Sequence, residues 1–159
     1  MRRTLFEAMP PLWKHVLWLW AIVLFGSLAI GAVVHGAVFV LGIDRVQRAT
    51  SVQNAWTSSF QSIVFAPFVE TLLLCVWVDL LARFGSKRLF VAATAAVIAG
   101  LLHAIISPTW FFSTAWGFFV FASAYVAWRP ASFPMAFTAA LAPHALSNAT
   151  GWALLFILD

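Results

Sequence analysis

Five stretches of continuous apolar sequence divide the chain: Leu12 to Leu41, Trp56 to Ala82, Arg88 to Ile106, Trp110 to Trp128, and Phe133 to Leu158. At helical rise, about 20 apolar residues suffice to cross a hydrocarbon core of about 30 Å. The runs are rich in Leu, Ala and Phe and do not alternate apolar with polar positions, so they predict helices and argue against a strand barrel. The pattern predicts an all-α integral membrane protein, a single membrane domain over 1–159 built as a compact bundle of about five transmembrane helices. The first run is too long for the core of a signal peptide and lacks a convincing cleavage site, so it is expected to be an uncleaved first span.

Composition agrees with the pattern. The chain has 159 residues, 64% of them hydrophobic and 9% charged, with a mean hydropathy of +0.97. No soluble domain of that length could bury so much apolar surface. The net charge of +4 could suggest nucleic acid, but the basic residues fall at the ends of the runs, where phospholipid headgroups account for them. No nucleic-acid partner is expected.

With five spans, Arg2, Arg3, Lys14, Arg83, Lys87, Arg88 and Arg129 fall on one side, and Arg45 and Arg48 on the other. The positive-inside rule then puts the N-terminus in the cytoplasm and Asp159 outside. Trp13 and Trp128 would mark the cytoplasmic interface, and Trp56 and Trp110 the outer one. Gly42 to Gln53 reads as the longest outer connection, while Ser107-Pro108 and Arg129-Pro130 read as turns. Asp79 stands four residues before Arg83, which predicts an ion pair on one helix surface. The single cysteine, Cys75, excludes an internal disulfide or a multi-cysteine zinc site and is expected to pack. His15 and His35 read as structural.

Against this background a few polar side chains stand out. Glu70 lies within the second run, and an acidic group at bilayer depth costs roughly 3 kcal/mol or more, so it rarely sits there without a pore, a partner or a reaction. Pro67, three residues earlier, removes a backbone donor and is expected to loosen the helix and admit water. The third run carries His103 with Gly100 one turn before it, a residue that permits close helix approach. The fifth carries Pro143 beside His144, with Asn148 on the same helical face at i, i+4. Counted from the run midpoints, Glu70 and His144 are central, while His103 is offset by about 9 Å.

A carboxylate with an imidazole can polarise water for attack on a carbonyl, and a second histidine with an amide donor can stabilise the resulting oxyanion. Singly, each residue has a plainer reading: a structural pair for Glu70, a hydrogen-bonded packing histidine for His103 or His144, an interhelical hydrogen bond for Asn148. Three costly polar groups on three spans favour a shared task. Ser147 and Thr71 carry weaker signals.

The motifs resemble those of the CPBP (CAAX protease and bacteriocin-processing) family of intramembrane proteases, which includes CAAX prenyl proteases and bacterial Abi proteins. That family's pattern is Glu-Glu-x-x-x-Arg, Phe-x-x-x-His and His-x-x-x-Asn or Asp on successive membrane helices. Glu70 matches the first glutamate, His103 the histidine of the second motif, and His144 with Asn148 the third, over about Phe65 to Leu155. Thr71 replaces the second glutamate, Cys75 the arginine and Ala99 the phenylalanine. The resemblance implies an endopeptidase of the bacterial cytoplasmic membrane that acts on a membrane-anchored protein or peptide, in maturation or C-terminal sorting. Glu70 and His103 would activate water, and His144 and Asn148 would hold the oxyanion. No cofactor is expected. The alternative is zinc on Glu70, His103 and His144. A non-enzymatic bacteriocin-immunity or binding protein of the same fold is the rival reading, and proton or ion translocation along the same residues a third.

Overall fold

Helix boundaries fall close to the ends of the apolar runs. The computed structural model describes residues 5–42 and 59–158, and among these it is helical with no strand. Helix α1 covers Leu12–Val40, α2 Ala66–Arg83, α3 Arg88–Ala104, α4 Trp110–Trp128 and α5 Phe133–Leu158. A π-helical turn, Gln61–Phe65, leads into α2. The Gly42 to Gln53 connection, Trp56, and the charges Arg2, Arg3, Arg45 and Arg48 lie outside the described residues, as does the start of the second run.

Three helical stretches are long and apolar enough to cross a membrane: Leu12–Val40, Gln61–Arg83 and Trp110–Trp128. Helix α3 is shorter, at 17 residues. It stops at Ala104 because the chain turns through Ile105 to Thr109, where Pro108 cannot continue the α3 backbone ladder and the Ser107 and Thr109 hydroxyls hydrogen-bond to each other at 3.0 Å. Helix α5 interrupts its apolar sequence near the middle with His144, Ser147 and Asn148.

Helix α4 is the hub, packing against α1, α2, α3 and α5. Its contact with α3 is the most extensive, and the sequence of α3 shows why. Val91, Ala92, Ala95, Ala96, Ala99 and Gly100 repeat at helical spacing and are all buried, which gives α3 a face of small side chains that lets backbones approach closely. At Gly100 a Cβ would lie 2.9 Å from the Phe111 ring and 3.0 Å from its carbonyl oxygen, so only glycine fits there without a shift. Ala122, Ala124, Ala136, Ala139 and Ala140 continue the small-residue core, and large apolar side chains such as Phe39, Leu73, Val76 and Ile105 point outward. Cys75 is buried in this core, as expected of a packing residue.

The basic end of the bundle is tied by long-range contacts. Arg129 places Nε and Nη2 on the Asp79 carboxylate at 3.0 to 3.2 Å, and the Arg88 guanidinium donates to the Phe6 carbonyl. The expected Asp79 to Arg83 pair is therefore corrected. The fold brings the guanidinium that follows α4 to Asp79 with a two-pronged geometry that a neighbour on the same helix does not supply. Trp128 also departs from its interfacial expectation. It is 4% exposed, and its indole N–H donates to Nδ1 of the fully buried His15. The indole belongs to the core because an imidazole there accepts its hydrogen bond. Trp13 and Trp110 remain exposed.

Candidate functional site

The site begins with a backbone defect. In the π-turn the Ala66 N–H reaches the Gln61 carbonyl, five residues back. The next donor in that register would be residue 67, which is proline and has no N–H. The carbonyl it would have served, that of Ser62, accepts instead from Asn148 Nδ2 of α5 at 2.7 Å. Pro67, the π-turn and Asn148 thus form one unit, in which a side chain on another helix supplies the donor that proline removed.

One turn after Pro67, α2 presents Glu70. Its two oxygens face different imidazoles: Oε1 lies 3.9 Å from His103 Nε2, and Oε2 lies 3.5 Å from His144 Nε2. The three sequence-predicted residues therefore meet, although they sit on α2, α3 and α5. The apparent offset of His103 disappears because depth counts from the shared end of the bundle and not from run midpoints. Helical rise over Glu70 to Arg83 and over Arg88 to His103 places both side chains roughly 20 Å from the basic end. The third run merely ends sooner beyond its histidine.

Hydrogen bonds around the rings distinguish the two histidines. His103 Nδ1 lies 2.9 Å from the Ala99 carbonyl, which can only accept, so Nδ1 carries a proton and Nε2 is the ring nitrogen turned toward Glu70. The gap of 3.9 Å is too long for a direct hydrogen bond. His144 is far more enclosed, with its side chain 6% exposed against 29% for Glu70 and 27% for His103. Its Nδ1 is 3.4 Å from the buried Thr71 hydroxyl. Phe121 stacks on the His144 ring with centroids 4.6 Å apart, and Phe118 meets both imidazoles edge-on or tilted.

Glu70, His103, His144 and Asn148 line one cavity of about 620 Å³, together with Ser147, Ser113 and Thr114. Glu70 and His103 also border an apolar groove of about 320 Å³ between α2 and α3, lined by Leu73, Trp77, Ile98 and Leu102. The acid and one imidazole thus stand where a cavity with several polar side chains in its wall meets an apolar groove.

Sequence reasoning weighed Thr71 lightly and missed Ser62, Phe118 and Phe121. Thr71 follows Glu70 directly, and its contact with His144 depends on where α5 packs. Phe118 and Phe121 share a face at i, i+3, a spacing that could have marked them, but α4 is so rich in phenylalanine that the pair does not stand out. His35 and His15 remain apart from the trio, with His15 held by Trp128 and the Met9 backbone N–H.

The zinc alternative requires three donors on one centre at about 2.0 to 2.2 Å. The two imidazoles instead address opposite oxygens of the carboxylate, and among the described residues no group of three or more His, Cys, Asp or Glu side chains is arranged to hold a metal ion. No chemical step is routed through a metal. A scan against models of known protein families, a search of curated proteins and a search of solved structures each return no match.

Proposed function

We propose that the chain is a five-span membrane protein of the bacterial cytoplasmic membrane, with its N-terminus in the cytoplasm, and that it works as a glutamic-type intramembrane endopeptidase on membrane-anchored protein or peptide substrates. The observation that carries this reading is the Glu70 carboxylate set between two imidazoles beside a cavity that Ser113, Thr114, Ser147 and Asn148 also line. Three apolar helices of spanning length and an outer surface of exposed large apolar side chains support insertion into a bilayer.

In this mechanism a water held between Glu70 and His103 Nε2 attacks the scissile carbonyl and gives up a proton to that pair as the new C–O bond forms. The mechanism uses the tautomer in which the Thr71 hydroxyl donates to His144 Nδ1 and the His144 proton stands on Nε2. That N–H and the second amide N–H of Asn148, whose first serves Ser62, receive the developing oxyanion. Collapse of the tetrahedral species breaks the C–N bond, and the proton taken from water passes to the leaving amine. The motif resemblance at Glu70, His103, His144 and Asn148 supports the same roles.

The test is hydrolysis of membrane-tethered model peptides by wild type and by Glu70→Gln, His103→Ala and His144→Ala variants in liposomes. The proposal expects cleavage by wild type, unaffected by metal chelators, and loss in all three variants. Normal cleavage by Glu70→Gln would overturn it.

A further inference from the structure

Hydrolysis inside a membrane consumes water, and the arrangement of cavities bears on where that water enters. The reaction cavity adjoins a second one at Asn148. Five of its wall residues, Trp110, Ser113, Thr114, Asn148 and Gly151, also line this second cavity of about 480 Å³, which runs on to Gly31 and His35 of α1. The shared neck carries two hydroxyls and an amide, groups that give water the partners it needs to stay in a confined space. At Gly151 the neck is open space, since a Cβ placed there would have no neighbouring atom within 4 Å.

Depth along the bundle gives this passage a direction. Lys14, Arg83, Lys87, Arg88 and Arg129 stand at the ends of α1 to α4 that form the basic end. His35 lies at the opposite end, since helical rise from Lys14 carries it roughly 30 Å away, and it is exposed. Glu70 and His103, about 20 Å from the basic end, are nearer to the His35 end of a core about 30 Å thick. On the basic side of the pair the walls turn apolar: the groove below it is lined by Leu74, Trp77, Leu80 and Ala95, and the Trp77 indole N–H is already given to Thr94.

We infer that water reaches Glu70 through a vestibule between His35 and the Ser113, Thr114, Asn148 and Gly151 neck, from the face of the membrane opposite the basic residues, the non-cytoplasmic face. This deepens the peptidase reading by naming the side that supplies the second substrate of hydrolysis, and it rests on that reading for the role of the water.

The experiment is cysteine accessibility in the full chain. In a Cys75→Ala background, Ser113→Cys at the neck, Ser147→Cys deeper in the cavity and Lys87→Cys at the basic end are each treated with a charged, membrane-impermeant thiol reagent, in right-side-out and in inverted membrane vesicles. Ser113→Cys and Ser147→Cys are expected to react only in vesicles that expose the non-cytoplasmic face, and Lys87→Cys only in the opposite ones. Adding Gly151→Phe should abolish labelling of Ser147→Cys and leave Lys87→Cys labelled. Reaction of Ser113→Cys or Ser147→Cys from the Lys87 side, from both sides, or from neither while Lys87→Cys reacts, overturns the vestibule. Labelling does not depend on turnover. A chain that labels as expected but cleaves no peptide would therefore sink the peptidase reading alone.

Discussion

Asn148 Nδ2 donates to the Ser62 carbonyl at 2.7 Å, the acceptor that the missing N–H of Pro67 leaves open in the π-turn. A residue expected to serve an oxyanion thus also holds two helices in register, and the two duties are separable by experiment. An Asn148→Ala change leaves a part-buried carbonyl without that donor, at a cost of about 1 kcal/mol. Pro67→Ala restores a local donor, so the same change should cost less in that background. Unfolding of the four variants in detergent measures the coupling, and equal losses in both backgrounds would show that Pro67 is not the cause.

Thr71 is predicted to act on the reaction through His144. Thr71→Val keeps the shape and removes the hydroxyl, so His144 is free to move its proton to Nδ1. Peptide hydrolysis is expected to fall about tenfold, the rate equivalent of about 1.4 kcal/mol, with the fold retained. Thr71→Ser should keep most of the activity. The ring-nitrogen NMR shifts of His144 should report the tautomer change in the valine variant and none in the serine variant.

The Asp79 to Arg129 pair is more than a third exposed on its arginine side, so its worth is modest. Asp79→Asn and Arg129→Gln are expected to lower stability by about 0.2 to 1 kcal/mol each, less at high salt, and to show coupling in a double-mutant cycle. Arg83→Gln should leave stability unchanged within error. Coupling of Asp79 to Arg83 instead would reverse the assignment.

Gly100 governs the approach of α3 to α4 one turn before His103. Gly100→Val would press into the Phe111 ring and carbonyl and is expected to cost about 1 to 3 kcal/mol. The displaced helix should carry His103 away from Glu70, so hydrolysis should fall further than the thermal midpoint alone accounts for. Activity measured well below the unfolding temperature separates the two effects.

Much of the architecture is written locally. Apolar runs of helical composition marked α1 to α5 to within a few residues over the described part, because a helix satisfies its own backbone and its limits are set by nearby punctuation such as Pro108 and Pro130. Rarity made Glu70, His103, His144 and Asn148 visible: a polar group in an apolar run is costly, so it stands out without any knowledge of its neighbours. Contact was a different matter. Which carboxylate oxygen meets which imidazole, that Thr71 and Phe121 attend His144, that Asn148 answers Pro67, and that Asp79 chooses Arg129 over Arg83 all depend on the relative rotation and depth of separate helices. Those quantities are set by how small faces such as Ala92, Ala95, Ala96 and Ala99 pack, a property of pairs of surfaces rather than of any one stretch of chain.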